Sequence, residues 1–152
     1  MKYGIDTQTL VDATQNLATI EYIDSKVKGA KIAVSSVVWK ETYGVLIRMG
    51  QTKEHADGEI KRAIKELNGK EKEYSEEYDA EAERILNSYK EMKDNEKDHK
   101  ILAHYKGIGV ETILVRDREF EKVISKEGLN ILHIPTKEKL LDWKLRKLKL
   151  FR

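Results

Sequence analysis

Four acidic residues, Asp6, Glu41, Asp98 and Asp117, each stand where an apolar run ends or on a helix-patterned segment that follows one. Carboxylates carried from distant segments to one edge of a parallel sheet can enclose a hard divalent cation. Oxygen ligands unaccompanied by thiolates or paired imidazoles favour Mg²⁺ or Mn²⁺, which keep part of their water shell. The chain has no cysteine, which excludes disulfides and thiolate metal sites, and its four histidines, His55, His99, His104 and His133, have no zinc-motif spacing. Each acid also has a plainer role. An Asp just past a strand is commonly a turn residue or helix cap, and a Glu on a helix is commonly solvated. Glu41, however, lies one turn from Val38 and Val45, near the sheet-facing edge of its helix.

The elements that must position these acids alternate. A short run closes on Asp6, and helical spacing follows through Leu10, Ala13, Leu17 and Ile20, predicting one helix over 9–22. Residues 31–35 read as a strand, with Ser35 and Ser36 able to cap a helix carrying Val38, Glu41, Thr42 and Val45. From 52 to 92 dense charge is interleaved with apolar residues at three- and four-residue intervals, predicting two helices broken at Asn68 and Gly69. That helical hairpin either projects as an arm or covers one face of the sheet. A polar break at 93–96 precedes a short helix through Ile101, Leu102 and Tyr105, then a strand, TILV, that delivers Asp117. A short helix with Phe120 and Val123, a strand over 129–134 and a basic helix at about 136–152 complete the chain. Helices regularly separating buried strands imply right-handed parallel crossovers. The expected fold is α/β, a three-layer α/β/α sandwich around a central, mainly parallel sheet, in one domain over 1–152.

Bulk properties narrow the function. Lys plus Arg (29) and Asp plus Glu (27) nearly cancel, so any basic surface that holds a polyanion must be local. No apolar run approaches the ~20 residues a spanning helix needs, and the start MKYGIDTQTL does not read as a targeting segment. The expectation is a soluble, cytoplasmic protein with no membrane partner.

The ordered set of a strand ending in Asp6-Thr7, a helix carrying Glu41, the run Asp98-His99-Lys100-Ile101-Leu102-Ala103, then Gly109 and a strand leading into Val115-Arg116-Asp117-Arg118-Glu119-Phe120 resembles the PIN domain. The resemblance covers about 1–50 and 94–134. The chain departs from it at Gln8, His99 and Val115, where members often carry Asn or Ser, an apolar residue and Thr. It implies a metal-dependent endoribonuclease of the kind found as the toxin in VapC-type toxin-antitoxin pairs, with an RNA substrate, an antitoxin partner and a homodimer. It also selects Asp98 over its neighbours Asp94 and Glu96. On this reading Asp6 and Asp98 are the principal ligands of Mg²⁺ or Mn²⁺, Glu41 is a ligand or a water-orienting base, and Asp117 is the outer member, binding through water or only shaping the site. Thr7 would hydrogen-bond Asp6 or a substrate phosphate.

Something must also hold the nucleic-acid backbone. Arg116 and Arg118 flank Asp117 and could contact phosphates or merely balance charge. The tail from Trp143 to Arg152 has basic residues, two aromatics and no acid; the spacing of Leu141, Leu145 and Leu148 predicts that these leucines dock on the core beneath a basic outer face. Two other functions fit the same residues: a housekeeping RNA-processing nuclease, and a catalytically silent module in which the acids only cap elements.

Overall fold

The computed structural model describes residues 1–92 and 97–150. Asp94, Glu96 and the last two residues of the tail lie outside the described residues. Five strands, β1 (Tyr3–Ile5), β2 (Ile32–Ser35), β3 (Gly69–Lys72), β4 (Thr112–Val115) and β5 (Asn130–His133), pair in parallel in the order β3-β2-β1-β4-β5. The helices are α1 (Thr7–Gln15), α2 (Leu17–Val27), α3 (Ser36–Arg48), α4 (Lys53–Glu66), α5 (Asp79–Ser88), α6 (Asp98–Gly107), α7 (Arg118–Lys126) and α8 (Lys137–Leu150), with single 3₁₀ turns at Glu76–Tyr78 and Lys90–Met92. Strands β2 and β4 are buried at every position, as IAVS and TILV require in a sheet covered on both faces. The layers are those of a three-layer α/β/α sandwich: α1 packs with α2, α3 and α4, whereas α5 packs with α6 and α7 lies against β4 and β5. None of the helices among the described residues is long and apolar enough to cross a membrane.

Chain order departs from sheet order at β1, which has β2 on one side and β4 on the other. Connections from neighbouring strands therefore leave for opposite faces, and the strand ends open a crevice between them. A buried tyrosine shapes that end of the sheet. The β1–β2 register covers Tyr3↔Ile32 and Gly4↔Ala33; beyond it the Tyr105 hydroxyl from α6 enters, accepting from the backbone N–H groups of Ile5 (3.3 Å) and Ser35 (3.1 Å) and donating to the Ile5 carbonyl (2.6 Å). It satisfies strand groups that otherwise stay buried without partners. Gly4 makes room for the ring: a Cβ there would lie 3.0 Å from Tyr105 Cδ2.

Three expectations need correction. The helix expected over 9–22 is two helices, because Asn16 takes an extended conformation, ends α1 and caps α2 by accepting from the Ala18 N–H at 3.3 Å. The expected hairpin over 52–92 is interrupted by β3, so α4 and α5 lie in different layers and form neither an arm nor a paired cover. The sequence GKEK contains no apolar residue and so shows no strand periodicity; it is an edge strand held by its register with β2, from Ile32↔Gly69 to Ser35↔Lys72. Asn68, at φ 55°, turns the chain into it, and Gly69 is required because a Cβ would lie 3.0 Å from Ile64 Cγ2 and 3.1 Å from its carbonyl oxygen. The third concerns α8. It docks on α2 through Leu140, an edge-on contact of Trp143 with Tyr22 at 5.3 Å and a Lys144–Glu21 ion pair at 3.1 Å. Leu141, Leu145 and Leu148 point outward, 46%, 55% and 58% exposed, because the docked face is the 140, 143, 144 row beside them.

Candidate active site

Asp6 leaves the C-terminal end of β1 and caps α1, its Oδ1 accepting the Thr9 N–H at 2.9 Å. Its own N–H donates to the Leu114 carbonyl at 3.0 Å, so the β1–β4 ladder extends into the residue that carries the carboxylate. Asp117 does the equivalent for β4, capping α7 by accepting the Glu119 N–H at 2.9 Å. The capping role offered as the plainer alternative is therefore real for both; a cap uses one oxygen and leaves the other side of the carboxylate for the cleft. Glu41 enters from the second turn of α3, and Asp98 from the first turn of α6.

All four acids line one cleft of about 320 Å³, together with Thr7, Gln8, Val11, Asp12, Val45 and Lys97. Burial first and neighbouring charge second raise two of them, Asp98 and Asp6. Desolvation, then the charges of Asp6, Glu41 and Asp117, push the Asp98 carboxyl up to about 8. The residue as a whole is half-buried and lines the cleft. Asp6, 3% exposed, is pushed up to about 6, mainly by burial; hydrogen bonds from Thr9 and the Arg116 backbone oppose the shift, and the charge of Asp117 adds to it.

This donor set suits a hard cation: several carboxylates in one desolvated concavity, no sulfur and no paired imidazole. Among the described residues no three acidic or imidazole groups form a ready-made metal cluster.

The other expected residues are placed differently from one another. The Thr7 hydroxyl donates to Glu41 Oε1 at 2.7 Å, which ties α1 to α3 and fixes the Glu41 carboxylate instead of meeting Asp6. Arg116 pairs through Nη1 with Asp12 on α1, and Arg118, largely exposed, pairs with Glu121 at 3.4 Å; neither lines the cleft. His99 is half-buried with its Nδ1 unpartnered among the described residues, and burial followed by the charges of Lys100 and Lys97 holds its pKa down. Two cleft residues were missed. Asp12 is a fifth acid, raised by burial against the pull of Arg116; its position on the helix that Asp6 caps is the only signal the sequence offers. Lys97 carries no motif at all.

The model of the PIN domain family matches residues 3–126. Among curated proteins no sequence matches the chain. Among solved structures, a chain of VapBC2 from Rickettsia felis bound to a DNA fragment of its promoter superposes with a TM-score of 0.67 at 15% identity, covering 89% of this chain and 100% of that one. A domain of a protein of unknown function from Methanocaldococcus jannaschii superposes at 0.58 with 19% identity, over 89% and 91% of the two chains. The protein PAE2754 of Pyrobaculum aerophilum superposes at 0.56 with 16% identity, over 93% and 88%. At these identities the likenesses establish the fold alone.

Proposed function

This chain belongs to the PIN domain family, and from that premise we propose that it is a metal-dependent endoribonuclease that hydrolyses RNA phosphodiester bonds in the acidic cleft. The observation that carries the reading is the convergence of Asp6, Glu41, Asp98 and Asp117, from four separate elements, on one cleft, where burial and then the charges of the other three push the Asp98 carboxyl up to about 8. Such a cluster is costly to the empty protein and is relieved by a cation.

Asp6 and Asp98 would be the principal ligands of Mg²⁺ or Mn²⁺, and Asp117 would be the outer member. When bound, the ion lowers the pKa of a water and neutralises charge on the phosphate oxygens. Glu41, whose Oε1 accepts from the Thr7 hydroxyl, would be a further ligand or would orient the attacking water and take its proton. On this reading the chain is the toxin of a toxin-antitoxin pair, acting in the cytoplasm as a homodimer with a protein antitoxin as partner; what supports the antitoxin is the fold likeness to a chain of VapBC2. Housekeeping RNA processing would use the same cleft.

The test is cleavage of labelled RNAs in Mn²⁺ or Mg²⁺ by the native chain, by Asp6→Asn and with chelator present. Asn keeps the helix cap, so loss of at least about 100-fold in both controls is the expected result. The lack of a ready-made cluster among the described residues favours one second reading, a catalytically silent module. A folded sample that neither cuts RNA nor gains thermal stability on adding Mn²⁺ would decide for it.

A further inference from the structure

A second pocket, of about 200 Å³, shares Glu41 and Lys97 with the acidic cleft and is otherwise formed by Ser36, Val37, Lys40, Tyr74 and Lys100. Its charge is opposite to that of its neighbour. Among the described residues Lys40, Lys97 and Lys100 form no ion pair, although nine other cationic side chains do, from Lys61 to Arg146. Lys40 comes from α3 and Lys100 from α6, so the tertiary fold, not a local run of basic residues, brings them to one concavity.

The aromatic wall of this pocket is fixed at both ends. The Tyr74 N–H donates to Ser36 Oγ at 2.9 Å, and the Tyr74 hydroxyl donates to Asp79 Oδ1 at 2.6 Å. The Lys100 ammonium stands 5.7 Å from the ring centroid. A held ring beside unpaired cations is the combination that binds single-stranded nucleic acid, since a base stacks on the ring while lysines meet the phosphate. The acidic cleft by itself repels a polyanion, and the two arginines beside Asp117 are already paired.

Resting on the nuclease reading for the identity of the strand, we infer that the Lys40–Tyr74–Lys100 pocket holds the phosphate and base of a nucleotide adjacent to the scissile bond of single-stranded RNA. It is a positioning subsite: Glu41 and Lys97, common to both cavities, put the bound nucleotide next to the reacting phosphate.

The test is equilibrium binding of a short labelled single-stranded RNA, in the Asp6→Asn background without divalent cation, across a salt series. The double variant Lys40→Gln/Lys100→Gln should bind more weakly and lower the magnitude of the salt slope by roughly 0.7 to 1.4, one or two phosphate contacts on a single strand. Tyr74→Leu should weaken binding about 5- to 100-fold with the slope unchanged, and Tyr74→Phe should restore it. Lys40 and Lys100 make no ion pair to lose among the described residues, so the lysine pair carries the test even if Tyr74→Leu fails to fold. Native affinity and slope in the lysine variant overturn the inference, as does equally tight competition by a free nucleoside monophosphate, which would make the pocket a mononucleotide site. The outcomes separate the two proposals: an active nuclease whose lysine variant binds normally loses only the subsite, whereas an inactive chain whose slope still falls loses only the nuclease.

Discussion

Carboxylates gather at two places in this molecule, and the two have opposite electrostatic characters. On the α5–α6–α7 side, Glu127 at the end of α7 receives Lys106 at 2.8 Å together with Arg84 and Tyr89, and Glu81 shares Lys106 at 3.2 Å. Burial pushes Glu127 up, but these donors outweigh it and hold its carboxyl down at about 2. In the cleft, burial and then the charges of its acidic neighbours push Asp98 up to about 8. One cluster is complete in itself and joins three helices. In the other, among the described residues, burial and neighbouring acids together push carboxyls up. Acid density in a sequence is therefore no guide to function until the partners of each acid are known.

The same chemical change should act in opposite directions at the two places. Glu127→Gln removes a charge that is 7% exposed and meets two cations, so thermal or urea unfolding should show a loss of about 2–3 kcal/mol. A neutral result would mean that the Glu127 cluster is as poorly satisfied as the cleft, and the contrast would fail. Thr7→Val deletes the hydroxyl that holds Glu41 without removing an acid; metal-dependent cleavage should fall about tenfold while stability changes little, and unchanged kinetics would show that Glu41 needs no such support. Asp98→Asn should raise the stability of the metal-free protein by about 1 kcal/mol, read as a melting temperature a few degrees higher, while it weakens stabilisation by Mn²⁺. Lower stability in the metal-free variant would mean that Asp98 is not repelled by its neighbours.

The pH dependence carries the same signs. A depressed Glu127 contributes stability that is complete above about 4.5 and is lost as pH falls through about 2. A raised Asp98 does the reverse: the unfolded chain releases its proton near 3.8 and the folded chain near 8, so metal-free stability declines as pH rises between those values. That decline should be confined in Asp98→Asn to the lower range where Asp6, pushed up to about 6, still contributes, and should persist over its whole range in Glu127→Gln.

Much of this molecule was legible in its residues. The β-branched strands KIAVS and TILV, the acids at strand ends and the order in which they recur were enough to predict a parallel three-layer fold with one acidic edge. These signals are local, and burial on both faces or a cap demands particular residue types wherever it occurs. What failed depended on partners far along the chain. GKEK becomes a strand only because β2 offers it an edge; α8 turns Leu141, Leu145 and Leu148 outward because Tyr22 and Glu21 take Trp143 and Lys144. The sequence by itself determined which residues could form strands, caps and an acid cluster, because those properties reside in side-chain chemistry and short-range spacing. Only the tertiary structure decided which charges are neutralised and which, among the described residues, gather in the two cavities that share Glu41, because Coulomb energy and desolvation depend on distance through space and not on position in the chain.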